Sequence, residues 1–156
     1  MALPTGTYID TGILLKTYAT ESNSDEADAI VLRTSAPLPL THFQELEIRN
    51  AIRLKHSRGE LSAADMTAAL DDFQDDIDEG RYERPAYDLP AVFRRAEELS
   101  KAHAVTTKCR SLDLLHVAAA LVIGSREFAS FDDRQRAVAR KAGLTVLPAR
   151  LPRTVA

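Results

Sequence analysis

The run from Leu112 to Ile123 is of helix length and contains only two polar side chains, Asp113 and His116. A helix that is apolar on nearly every side has no face to offer water, so it must lie buried between other layers. The rest of the chain has to supply those layers, which restricts the fold to one built around a central apolar element.

The flanking segments alternate between short β-prone runs and helices. Thr7-Tyr8-Ile9 is β-prone, and a helix follows from Ile13 to Tyr18. Ser24 or Asp25 is placed to cap a second helix to about Arg33, and Pro37 and Pro39 then interrupt the pattern around a short strand ending near Thr41. His42 to Arg58 is helical and stops at Arg58-Gly59. Ser62-Ala63-Ala64-Asp65 has the spacing of a capping box and opens a helix whose Met66, Leu70, Phe73 and Ile77 form one apolar stripe. Arg81-Tyr82-Glu83 reads as a short strand or extended connection, and Pro90 suits the first turn of a helix running from Ala91 to Ala104. Ser111 is placed to cap the apolar run. Phe128-Ala129-Ser130-Phe131 is a strand, Asp133 to Ala142 a helix ended by Gly143, and Leu144 to Leu147 a last strand, with a tail from Pro148. Strands separated by helices pair in parallel. The expected architecture is α/β, a three-layer α/β/α sandwich with a mostly parallel sheet of four or five strands, in a single domain over residues 1–156 with its core at about 7–148.

Composition agrees with a chain that folds unaided, at 156 residues with 45% hydrophobic and 28% charged residues. Met1-Ala2-Leu3-Pro4-Thr5 lacks a basic segment followed by an apolar core, and no apolar run reaches membrane-spanning length. A cytoplasmic protein without membrane association is expected. Cys109 is the one cysteine, which excludes an intrachain disulfide and a thiolate-rich zinc site and leaves it the role of a small buried apolar residue. A net charge of −3 argues against a broad basic face for nucleic acid. With the four acids discussed next set aside, however, the remainder is slightly positive.

Those acids are Asp10, Glu47, Asp113 and Asp132. Asp10 follows the first strand and Asp132 the strand at Phe128, so both fall at carboxyl ends of strands, where open α/β sheets bind ligands. On a helical wheel Phe43, Glu47, Ala51 and Leu54 share an arc of about 80°, which points Glu47 inward and leaves Glu45 solvated near Arg49 and His56. The acids from Asp71 to Glu79 lie mostly off the apolar stripe of their helix and form a solvated face. Four inward carboxylates repel unless a cation neutralises them. Oxygen-only ligands favour Mg²⁺ or Mn²⁺, and Mg²⁺ takes one or two carboxylates directly while keeping several waters. Asp10 and Asp113 are therefore the expected direct ligands, with Glu47 and Asp132 acting through water or on a second ion. Such a cation activates a water against a phosphodiester. Each acid also has a bland role: Asp10, Asp113 and Asp132 as helix caps or dipole partners, Glu47 as an ion-pair partner. His116 lies one turn after Asp113 and is read as a satisfied core histidine, outside the site. Ser130 and Thr11 offer supporting hydroxyls beside the acids.

In order and spacing these pieces resemble the PIN domain family, and within it the VapC-like toxins of bacterial toxin-antitoxin pairs. The resemblance runs from about Tyr8 to Leu147 through Tyr8-Ile9-Asp10-Thr11, Glu47-Ile48-Arg49-Asn50-Ala51, Leu112-Asp113-Leu114-Leu115-His116-Val117-Ala118-Ala119-Ala120, and Ser130-Phe131-Asp132 followed by Gly143-Leu144. It implies a Mg²⁺- or Mn²⁺-dependent endoribonuclease, usually a homodimer, held inactive by a cognate antitoxin that covers the pocket. Asp10, Glu47, Asp113 and Asp132 would form its acidic quartet, with Ser130 as the supporting hydroxyl. Gly12 stands where many relatives carry Ser or Asn. That departure and the negative charge motivate the alternative of a catalytically weak PIN scaffold that binds a partner protein or RNA. A nucleotide-binding fold is unsupported, because the chain has no glycine-rich phosphate loop. A phosphoryl-transfer enzyme on the same kind of sheet would need a second Asp two places after Asp10, where Gly12 stands.

Overall fold

A computed structural model describes residues 6–34 and 37–153. The reading of residues 1–5 as free of a targeting pattern lies outside the described residues. The chain is α/β with parallel strand pairing, and it divides into two compact units, each assembled from separate stretches of sequence.

The first unit takes its described residues from Met1–Asp10 and Pro85–Leu151. It holds β1 (Thr7–Ile9), α5 (Leu89–Thr107), α6 (Ser111–Ile123), β4 (Glu127–Ala129), α7 (Asp133–Lys141) and β5 (Thr145–Leu147). Its sheet has the order β1-β4-β5, all parallel, with Ile9 opposite Ala129 and Ala129 opposite Leu147. Tyr8 and Phe128 sit opposite each other in this register and stack at 5.6 Å with planes 7° apart. The apolar run forms α6 as expected and buries Leu114 and Val117 to Ala120, where the small Ala118-Ala119-Ala120 stretch permits close packing, but it is not buried on every side: Leu112 is exposed and Leu115 and Leu121 to Ile123 are half-buried. His116 is buried and shares a 2.8 Å hydrogen bond from Nδ1 to the Tyr8 hydroxyl, so it is the satisfied core histidine that the sequence suggested. Ser111 is not the cap of α6. It is the first helical residue, and Arg110 occupies the cap position without a side-chain capping bond.

A buried arginine, Arg136 on α7, fastens the carboxyl end of this sheet. Its Nη1 donates to the carbonyls of Ser130 (2.8 Å) and Leu147 (3.1 Å), and its Nη2 donates to Pro148 O (2.6 Å). The beginning of the expected tail at Pro148 is thereby anchored.

The second unit spans Thr11–Arg84 with Pro152–Ala156, of which the last three residues are not described. It holds α1 (Thr11–Tyr18), α2 (Ser24–Arg33), β2 (Leu38–Pro39), α3 (His42–Ser57), α4 (Ala63–Asp78) and β3 (Tyr82–Glu83). β2 and β3 pair in parallel as a two-stranded sheet. Among the described residues the strands form a three-stranded and a two-stranded parallel sheet, where one sheet of four or five strands was expected. β2 and β3 are two residues long, and Pro39 lacks the backbone donor a longer ladder needs. Ser62 caps α4 as its spacing predicted, accepting from Asp65 N at 3.0 Å. Phe73 is the buried centre of the α4 stripe, meeting Tyr18 and Tyr82 edge-on with the Arg49 guanidinium over its ring.

Three expectations in this unit are corrected. The inward arc of α3 is Gln44, Ile48, Ile52 and Lys55, one position further along than the wheel placed it; Phe43, Glu47 and Ala51 are half-buried and Leu54 is exposed. The buried ends of that arc are polar yet satisfied. Gln44 closes a capping box with Thr41, and Lys55 is ion-paired with Glu21 and Glu60. Glu45 is half-buried rather than solvated and bonds Arg49 and Arg84. Likewise Asp76 departs from its otherwise exposed acidic face, accepting hydrogen bonds from Tyr18 and Arg81.

Candidate functional site

Parallel strands β1 and β4 end side by side, and Asp10 N donates to Ala129 O at 2.9 Å, which carries the pairing one residue past the strand. Asp10 therefore leaves the sheet at the same edge as Ser130, whose N donates to Leu147 O at 3.0 Å. Asp132 follows and caps α7, its Oδ1 accepting from Gln135 N at 2.8 Å. Its cap role is real, and it also fixes where Gln135 starts on the helix.

Gln135 is fully buried and joins what the sequence left apart. Its Nε2 donates to Asp10 Oδ1 at 3.3 Å and to the backbone carbonyl of Asp113 at 3.1 Å. Its Oε1 accepts from the Ser130 hydroxyl at 2.7 Å, and Ser130 Oγ in turn accepts from Asp132 N at 3.0 Å. Asp10, Asp113, Ser130 and Asp132 are thus linked through one amide. Sequence reasoning missed Gln135, although the Asp132-x-x-Gln135 spacing of a capping box marks it as a residue of the first helical turn.

Asp113 stands in the first turn of α6, half-buried, with Oδ2 accepting from Arg110 Nε at 3.0 Å. Arg110 was not singled out in the sequence, and its hydrogen bond and charge interaction with Asp113 hold its proton more tightly than usual. Cys109 records the same negative field. Burial first, then the charges of Asp113 and Asp132, push its thiol up to about 12, and the side chain is buried as expected.

Glu47 and Thr11 belong to the second unit, where the Thr11 hydroxyl donates to Glu47 Oε1 at 3.4 Å. The supporting hydroxyl expected of Thr11 is therefore directed to Glu47. Among the described residues, no three His, Cys, Asp or Glu side chains are grouped so as to hold a metal ion between them. The donor chemistry of the first unit nevertheless suits a hard cation held by few protein ligands. Asp10 and Asp113 offer carboxylate oxygens, and His116 has its Nδ1 engaged by Tyr8. No helix among the described residues is long and apolar enough to cross a membrane. No protein-family model and no curated protein matches the chain.

Proposed function

We propose that this chain is a PIN-like, Mg²⁺- or Mn²⁺-dependent endoribonuclease acting as the toxin of a toxin-antitoxin pair. The observation that supports it most is the linkage of Asp10, Ser130, Asp132 and Asp113 through Gln135 beside the carboxyl ends of β1 and β4. The finer fold reading, a three-layer sandwich of four or five strands as a single domain, belongs to the same proposal. So do a cognate antitoxin and a homodimeric state, which rest on the sequence resemblance, and a cytoplasmic setting, which rests on the N-terminal pattern and the absence of a long apolar run in the sequence.

Asp10 and Asp113 would hold the cation, with Asp132 acting through water. Glu47 enters the acidic set on the resemblance alone. Bound there, the cation supplies charge neutralisation for a phosphodiester and lowers the pKa of a water. The chain's own residues do the positioning. Gln135 orients Asp10, the Asp132 cap fixes the start of α7, and Arg136 ties the carbonyls of Ser130 and Leu147 so that the edge of the sheet keeps its shape. Arg110 competes with the cation for Asp113 and is placed beside it to meet a phosphate oxygen.

The test is incubation of RNA with purified wild type and Asp10→Asn in Mg²⁺ or Mn²⁺, with and without chelator. Cleavage by wild type alone, abolished by chelator, is the expected result. Equal cleavage by both proteins removes the site. Failure to bind Mn²⁺ in calorimetry, together with no RNA turnover, would favour the scaffold.

A further inference from the structure

We propose that Gln135 is a positioning residue for Asp10 whose amide is locked in one orientation by the Ser130 hydroxyl. The orientation is a matter of hydrogen-bond polarity; its functional meaning rests on the reading of Asp10 as a cation ligand. Gln135 and Ser130 are both fully buried. A buried primary amide has two orientations, related by a half-turn that exchanges its acceptor and its donors.

Four bonds decide between them. Ser130 Oγ accepts the Asp132 N–H at 3.0 Å, and the same oxygen lies 2.7 Å from Gln135 Oε1, to which it gives its own hydrogen. With its oxygen engaged there, the amide turns both N–H groups the other way, toward Asp10 Oδ1 at 3.3 Å and Asp113 O at 3.1 Å. The reverse orientation would set the amide oxygen against a carboxylate and a carbonyl, acceptor facing acceptor. The series runs in one direction, from the Asp132 backbone through Ser130 and Gln135 to the Asp10 carboxylate. Partners that orient a ligating carboxylate in this way commonly change metal affinity when they are removed.

The experiment uses the full chain with two readouts. Side-chain amide NMR of Gln135 follows hydrogen exchange of its two Nε2 protons without metal, and calorimetry follows binding of Mn²⁺ alone. Wild type should show both amide protons protected, and Ser130→Ala should lower that protection. Gln135→Met, which keeps length but loses both donors, should weaken Mn²⁺ binding roughly 10- to 100-fold. The proposal is overturned if the wild-type amide protons exchange like those of an exposed glutamine, or if Ser130→Ala leaves them unchanged. It is also overturned if folded Gln135→Met binds Mn²⁺ as wild type does while Asp10→Asn does not, a result that spares the metal reading. Undiminished Mn²⁺ binding by Asp10→Asn instead sinks the metal reading, and the amide protons then decide the role of Gln135 by themselves. Should Gln135→Met fail to fold, amide exchange in wild type and Ser130→Ala still decides whether the hydroxyl locks the amide.

Discussion

Arg110 Nε donates to Asp113 Oδ2 at 3.0 Å, while the arginine side chain remains 75% exposed and the aspartate only 20%. An exposed arginine spaced i,i+3 from its partner contributes little to stability, but its charge opposes a cation at the same carboxylate. Arg110→Ala should leave the thermal midpoint nearly unchanged and strengthen Mn²⁺ binding at low salt by about threefold, the scale of one water-screened unit charge. Weaker Mn²⁺ binding in this variant would contradict that placement of the cation.

Arg136 acts on the framework instead. Replacing it with Ala would remove the side-chain donors to the carbonyls of Ser130, Leu147 and Pro148 and open space in a position that is 1% exposed. A loss of about 3 kcal/mol or more is expected in urea unfolding. Arg136→Lys should recover only part of it, because an ammonium cannot reproduce the planar fork that reaches all three acceptors.

Acid and alkali should each weaken the second unit through Glu21 and Lys55, which pair at 2.9 Å. Burial pushes the Glu21 carboxyl up, but hydrogen bonds from Lys55 and Lys16 outweigh it and hold the group below its ordinary 4.5. Stability from a lowered carboxyl is present above 4.5 and is lost as pH falls through the folded value. Lys55, raised above 10.5 chiefly by its bond to Glu21, contributes stability that is complete below 10.5 and is lost as pH climbs through the raised value. Glu21→Gln should therefore flatten the fall in urea midpoint below pH 4.5. An acid limb identical to that of wild type would contradict this assignment.

The Tyr18 hydroxyl donates to Asp76 Oδ2 and lies 2.7 Å from the Tyr82 hydroxyl, beside Phe73. Tyr18→Phe keeps the ring packing and removes the donor to a carboxylate, so a loss of about 1–2 kcal/mol is expected in chemical unfolding. Burial pushes the Tyr82 phenol up to about 12, which should appear as a late tyrosine transition in an ultraviolet pH titration and disappear in Tyr82→Phe.

Local signals in the sequence read through to structure where chemistry is local. The Ser62 cap, the buried α6 run and the positions of Asp10 and Asp132 after strands follow from residues a few places apart. The α3 arc failed because a wheel rewards apolar ends, whereas Gln44 and Lys55 are buried through partners at Thr41, Glu21 and Glu60 that a periodicity does not see. Gln135 escaped for a related reason. It sits in a short, mostly charged helix and turns inward only because Ser130, Asp10 and Asp113 converge on it from other elements. The division of strands between two sheets was equally hidden, since pairing depends on the register between distant segments.

Calorimetric titration of Mn²⁺ into wild type, Asp10→Asn and Asp113→Asn, each shown to be folded, tests the central claim most directly. Saturable binding by wild type, with both variants weakened at least tenfold, is the predicted result. Binding of equal strength and stoichiometry in all three proteins would contradict the account.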